Sequence, residues 1–251
     1  MVLRGNVLVL SYSKNNPVMK PIKTLGIILG MTLTFRGVSV LVRPALAISP
    51  TQQQLETSTD QMNVESLFER STEKINRGDY QGAIADLERV IALNPNYIEA
   101  YCNRGMAYFG LGNLDRAIAQ FDLALKVAPR HADALNRKGV VLAQQGNLER
   151  AVDNFDRALN SDSNFVDAYY NRGKARTELG NFLGAIADYN QAIKLNPNLA
   201  EAYGNRGFVR VRLGNKQKGL EDLQHAAKLF WDSGNMAGYQ QTLAYIQMIQ
   251  R

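Results

Sequence analysis

The chain has 251 residues, 45% of them hydrophobic, with 29 basic and 23 acidic side chains and a net charge of +6. Residues 1–47 hold six basic side chains and no acidic one, which leaves 23 of each sign in the remainder. A balanced remainder without a polybasic run excludes a basic nucleic-acid surface, and a single cysteine, Cys102, excludes an internal disulfide.

In chain order the first element is a leader. Lys20 and Lys23 precede a mostly apolar stretch from Thr24 to Phe35, and Ala45-Leu46-Ala47 follows as a small-x-small motif. This is the three-part layout of a secretory signal peptide. Met19 offers an alternative start, because Met19-Lys20-Pro21-Ile22-Lys23 is a compact basic opening. Two other readings stay open. One is an uncleaved membrane anchor over 24–42, in which Arg36 costs about 2.5–3.5 kcal/mol of insertion free energy. The other is an organelle transit peptide, since the segment is basic and acid-free. The first two give a protein that is exported (periplasm, lumen or secreted) or membrane-anchored through residues 24–42. Residues 48–63 are polar, rich in Gln and Thr, and read as a flexible linker.

From residue 64 the chain repeats. Gly105, Gly139, Gly173 and Gly207 recur every 34 residues, as do Gly78, Gly112, Gly146, Gly180 and Gly214. Ala83, Ala117, Ala151 and Ala185 keep the same interval, and so do Ala124, Ala158, Ala192 and Ala226. Such a period with small residues in fixed places predicts stacked helical hairpins. The units are 64–97, 98–131, 132–165, 166–199 and 200–233. Small residues such as Gly105 and Ala117 let paired helices approach, and larger ones such as Tyr101 and Phe121 fill the core. The Gly-Asn steps, with Gly78-Asp79 in the first unit, suit the turn within each hairpin: glycine tolerates positive φ and Asn or Asp caps the next helix. Pro95, Pro129 and Pro197 end second helices. A last helix over 236–250, within 234–251, carries Tyr239, Leu243, Ile246 and Ile249 as an apolar stripe with glutamines opposite, the pattern of a C-terminal capping helix.

The second unit, with Tyr101, Gly105, Tyr108, Gly112, Ala117, Phe121, Ala124 and Pro129, resembles the tetratricopeptide repeat at every one of these offsets. The resemblance implies an all-α fold: a right-handed α-solenoid of stacked antiparallel helix pairs. Some departures stand out. Ser71 and Lys74 stand for glycine and tyrosine in the first, Ser163 for proline in the third, and Gly219 and Trp231 for alanine and proline in the fifth, whose second helix is expected to run on.

No catalytic constellation is visible. His131 and His225 lack the spaced partners of a metal site, no Gly-Lys-Ser/Thr phosphate loop occurs, and no cofactor is expected. Cys102 reads as a small semi-buried residue. The family resemblance implies an interaction scaffold whose partners are other proteins, and it directs attention to the groove. Two residues before the first-helix glycine lie Asn103, Arg137, Asn171 and Asn205, which in tetratricopeptide arrays face the concave side. The row resembles the asparagine ladder of the O-GlcNAc transferase repeats. An amide side chain both donates and accepts, so it can pair with any peptide unit; Arg137 suits an acidic side chain or a terminal carboxylate. Phe109, Lys174, Phe208 and Arg212 complete a groove of mixed charge. A carboxylate clamp of the kind found in some chaperone partners is incomplete here, since Phe68, Thr72 and Asp133 occupy its remaining positions. Arg104, Lys138, Arg172 and Arg206 recur beside the ladder, and Asp86, Asp188 and Asp222 recur on second helices. Pairing between helices and ligand binding are equally open for these.

Overall fold

The computed structural model describes residues 32–35, 38–41 and 50–250, with side-chain surroundings from residue 63 onward. The chain divides into two units, Met1–Gln53 and Gln54–Arg251. In the first, β1 (Thr32–Phe35) pairs antiparallel with β2 (Val38–Leu41), Thr32 opposite Leu41 and Phe35 opposite Val38. The β-branched residues Thr32, Thr34, Val38 and Val40 suit a pleated strand. The start at Met19 and the motif at Ala45-Leu46-Ala47 lie outside the described residues. Among the described residues no helix is long and apolar enough to cross a membrane.

The second unit is helical throughout. First helices are α1 (Pro50–Asn76), α3 (Ile98–Gly110), α5 (Ala132–Gln144), α7 (Val166–Glu178) and α9 (Ala200–Arg212). Second helices are α2 (Tyr80–Leu93), α4 (Leu114–Val127), α6 (Leu148–Ser161), α8 (Phe182–Leu195) and α10 (Lys216–Asp232). The chain then enters α11 (Met236–Gln250). α1 begins at Pro50, so helix occupies most of the 48–63 stretch read as a flexible linker. No glycine or proline interrupts the sequence from Thr51 to Arg77, and Pro50 sits at a helical start, where its missing N–H costs nothing.

Each turn inside a hairpin is made the same way. Gly78, Gly112, Gly146, Gly180, Gly214 and Gly234 have φ between +73° and +81°, a region closed to most side chains. The following polar residue caps the next helix in four of the six: Asp79, Asn113, Asn181 and Asn235 accept from the backbone N–H three residues on, at 2.9–3.1 Å. The second helices α2, α6 and α8 end in a different turn. The side chains of Asn94, Asp162 and Asn196 each accept from the N–H two residues on. This Asx turn explains why Ser163 can replace a proline without prolonging α6.

Helices pair through a glycine facing a ring. A Cβ on Gly105, Gly139 or Gly173 would come within 2.6–2.8 Å of Phe121, Phe155 or Tyr189, and these three rings are no more than 1% exposed. In the last repeat Leu223 stands at the ring position and Gly219 at the alanine position. Gly207 faces Gly219, and a Cβ on either would stand 2.9 Å from the other's carbonyl oxygen. α9 and α10 therefore pack backbone to backbone, which accounts for the missing alanine. α10 has 17 residues where α2, α4, α6 and α8 have 14. Its added turn brings Trp231 against Tyr239 of α11, with ring centroids 5.2 Å apart. Ile246 of α11 is buried, and Gln240, Gln241, Gln247 and Gln250 are exposed, the division expected of a capping helix.

The core is continuous from repeat to repeat. Ala100, Ala134, Ala168 and Ala202, at the start of successive first helices, are fully buried against the preceding repeat. First helices touch their neighbours, α3 with α5, α5 with α7 and α7 with α9, while successive second helices make no comparable contact. The side on which neighbours approach is the inside of the curve, so first helices line the concave face.

Candidate functional site: the concave face

A second set of contacts fixes the angle between repeats. Arg172 donates to buried Asp188 on its own second helix and to Asp156 on the second helix of the preceding repeat. Arg206 does the same with Asp222 and Asn190, at 2.7–2.9 Å. Arg70 donates to Asp86 at 2.6 and 2.8 Å, and Arg104 to Gln120 at 2.8 Å. Where the second helix carries the aspartate, a further cation one turn along completes the charge: Lys74 on Asp86, Arg176 on Asp188 and Arg210 on Asp222. Lys74 is therefore a paired residue, and its departure from tyrosine follows from Asp86. Arg70's hydrogen bonds, opposed by burial and reinforced by Lys74, hold the Asp86 carboxyl down at about 2. The structure thus resolves the role left open for the basic and acidic rows: these residues pair between helices.

The third repeat breaks the pattern. Arg104, Arg172 and Arg206 lie over Tyr101, Tyr169 and Tyr203 of their own helices, 5.3–5.7 Å from the ring centroids. The third repeat has Leu135 and Lys138 instead. Lys138 donates to Asp122 of the preceding repeat at 2.6 Å and does not reach Asn154 on its own second helix. Asn154 Oδ1 is the one buried side-chain polar atom among the described residues without a partner.

The ladder residues stand one on each of α3, α5, α7 and α9, and the three asparagines are tied to the preceding repeat. Asn103 Nδ2 donates to Thr72 Oγ1 at 3.4 Å, Asn171 Nδ2 to Asn136 Oδ1 at 3.1 Å, and Asn205 Nδ2 to the Tyr170 hydroxyl at 3.2 Å. In each case the partner belongs to the preceding first helix. Each amide keeps its carbonyl oxygen and one N–H unused among the described residues, and none of these carbonyl oxygens is a buried, unpartnered atom. Arg137 is already engaged by Asp133 of its own helix at 2.6 Å. That pair is partly solvent-exposed and is worth only about 0.2–1 kcal/mol, so an incoming carboxylate can compete for the guanidinium.

The other expected groove residues line three recesses. Phe109 and Arg137 border one of about 200 Å³. Asn171 and Lys174 border one of about 140 Å³, with Lys174 Nζ 5.8 Å from the Tyr170 ring centroid. Asn205 and Phe208 border the largest of the three, about 560 Å³, between α9 and α11. Arg212 lies against both Phe182 and Phe208, at 5.9 and 6.0 Å.

Two features escaped the sequence reading. Glu65, Glu99, Asp133, Asp167 and Glu201 recur every 34 residues, and of these only Asp133 has an ion-pair partner among the described residues. On α3, α5, α7 and α9 they occupy the first turn, where a carboxylate complements the helix dipole. They give one edge of the groove an acidic rim, which qualifies the expectation of a simply mixed charge. Burial first, then Glu99, Glu65 and Glu69, raise the Tyr97 hydroxyl above its usual range. The second feature is a meeting of Cys102, His131 and Asp133, whose ligand-type atoms lie within 4.8 Å of one another. His131 Nδ1 accepts the Ala134 N–H at 3.2 Å and caps α5, and Asp133 answers Arg137. Burial, then the nearby carboxylate of Asp133, pushes the Cys102 thiol up to about 12. A protonated thiol beside two engaged groups suits a packed helix start better than a metal centre or a nucleophile.

An array of this kind, with stapled repeats and an open inner face, defines a helical-repeat interaction scaffold. The tetratricopeptide repeat profile matches residues 102–165, and a second TPR repeat profile matches 74–112 and 173–214. The chain belongs to the tetratricopeptide repeat proteins. Among solved structures it is similar to MamA from Desulfovibrio magneticus RS-1, at 24% identity over 68% of this chain and 96% of that one, with a TM-score of 0.60. It is similar to YrrB, described as a TPR protein with an unusual peptide-binding site, at 20% identity over 73% and 93% of the two chains, TM-score 0.54. It is also similar to PilF of Pseudomonas aeruginosa, at 13% identity over 76% and 93%, TM-score 0.62. At these identities the likeness concerns the fold. No curated protein matches the sequence.

Proposed function

We propose that this protein is a non-enzymatic scaffold that holds a peptide or helical segment of another protein along the first helices of its array. The observation that carries this reading is the ladder. Asn103, Asn171 and Asn205 are each oriented by one hydrogen bond to the preceding repeat, which leaves an acceptor and a donor to meet a peptide unit. A bond already made holds each amide in place, so less side-chain entropy is lost on binding. The leader directs the scaffold to an exported or membrane-associated complex, whose assembly it assists. A second reading, in which the array tethers the substrate of a separate enzyme, uses the same groove and differs only in what the partner does next.

The test is a triple substitution, Asn103→Ala, Asn171→Ala and Asn205→Ala, in the full chain. Helicity by circular dichroism is expected to stay at the wild-type level while partner recovery from native cells falls. Unchanged recovery would remove the ladder from the mechanism.

A further inference from the structure

The last first helix carries a glycine that packing does not require. Gly204 lies in the interior of α9, where glycine is about 1 kcal/mol worse than alanine. The other helix-pairing glycines earn their place by facing a ring or a backbone at under 3 Å. A Cβ on Gly204 would meet only Ala226 Cβ, at 3.8 Å, which is ordinary contact. In the four preceding repeats the same position holds Phe68, Cys102, Asn136 and Tyr170. Omitting the side chain here opens the cleft of about 560 Å³ between α9 and α11, a volume within the usual range of ligand sites.

The walls of the cleft say what it takes. Tyr170, Phe208, Phe230, Tyr245 and Met248 line it, and Phe208 and Met248 are exposed to solvent at 37% and 63%. Aromatic rings and a thioether favour a flat, large apolar side chain. At the α9 start the cleft is bordered by Glu201, which has no ion-pair partner among the described residues. At the far end of the helix, about 16 Å away at 1.5 Å per residue, stands the cation Arg212. Cations thus already occupy the Arg212 end and the Tyr170 face, and a carboxylate waits at the other. Asn205, on the same wall, presents its unused amide groups to a backbone.

We infer that this cleft is an anchor site for an extended peptide that seats an aromatic side chain over Gly204 and sets an adjacent Lys or Arg against Glu201. The inference rests on the reading of the groove as a peptide site and narrows its partner to an aromatic-basic sequence.

The experiment is selection of a random-peptide phage library on the full chain, followed by anisotropy measurements with the enriched peptide. Enrichment of an aromatic residue beside Lys or Arg is expected. Gly204→Leu fills the cleft and is expected to weaken that peptide about tenfold or more, the worth of burying one large apolar side chain, with circular dichroism unchanged. Glu201→Lys is expected to favour an acidic residue in place of the basic one. Failure to enrich any peptide, enrichment without the aromatic-basic pair, or equal binding by Gly204→Leu overturns the anchor. The remote pair Asn103→Ala and Asn171→Ala separates the two claims. Binding lost through Gly204→Leu but kept in this pair sinks the ladder and leaves the anchor, while the reverse sinks the anchor and leaves the ladder.

Discussion

The same substitution, glycine to alanine, should have opposite effects at two positions of the array. At Gly173 the new Cβ would fall 2.7 Å from the Tyr189 ring. That ring is 1% exposed, and its hydroxyl is pinned 3.1 Å from Thr177 Oγ1, so it cannot swing away without giving up a hydrogen bond. Overpacking of this kind costs about 1–3 kcal/mol, against a gain of about 1 kcal/mol in helix propensity. Gly173→Ala should therefore destabilise by about 1 kcal/mol net. At Gly204 the Cβ meets only Ala226 Cβ, at an ordinary contact distance of 3.8 Å, and Gly204→Ala should stabilise by about 0.5–1 kcal/mol. Urea unfolding of both variants, followed by circular dichroism, reads the difference. A shift of both midpoints in the same direction would refute the argument: both upward would mean that propensity alone decides, and both downward that Gly204 is packed as tightly as Gly173. Stabilisation at 204 also shows that natural Gly204 lowers stability, as expected of a residue placed for binding.

Three further outcomes follow from the ion-pair and thiol geometry. Lys138→Arg gives the third repeat a fork able to reach both Asp122 and the orphaned Asn154 Oδ1, as Arg206 reaches Asp222 and Asn190; a gain of about 0.5–1.5 kcal/mol in urea unfolding is expected, and no gain would mean that Asn154 is already satisfied by water. Asp86 is held at about 2 against an ordinary value of 3.8, so its contribution is complete above pH 4 and drains away as pH falls towards 2. Asp86→Asn should flatten the acid limb of the stability curve and weaken the protein at neutral pH, and an unaltered acid limb would count against the pairing. Cys102, with its thiol pushed up to about 12, should resist a disulfide-exchange reagent at pH 8 until the array is unfolded in urea; rapid labelling of the folded protein would contradict its burial.

The architecture was legible because it is written five times. Gly105, Gly139 and Gly173 each face a ring that lies 16 residues on in the sequence, so spacing alone placed the hairpins, their turns and the cap. The staples were half legible: the basic and acidic rows left pairing between helices open, and the deciding signal is that Asp86, Asp188 and Asp222 coincide with Lys74, Arg176 and Arg210, while Gln120 and Asn154 coincide with Tyr108 and Leu142. That covariation between repeats states the pairing, and it shows only where the two positions, 12 residues apart, are set side by side across all five repeats. Gly204 was overlooked for the opposite reason. A single glycine carries no period, and its significance lies in the emptiness around it. The start of α1 at Pro50 escaped because a Gln- and Thr-rich stretch lacks the apolar rhythm of a buried helix, although nothing in it breaks one. The encounter of Cys102 with His131 depends on stacking one repeat on the next, which brings together residues 29 positions apart.

The central claim is that partners lie along the first helices, and site-specific photocrosslinking in native cells tests it most directly. A benzophenone side chain at Lys174, on the inner face, is compared with one at Arg157, exposed on second helix α6. The account predicts a discrete crosslinked partner from position 174 and none from position 157. The same partner trapped only from position 157 would contradict it and move the binding surface to the outer face.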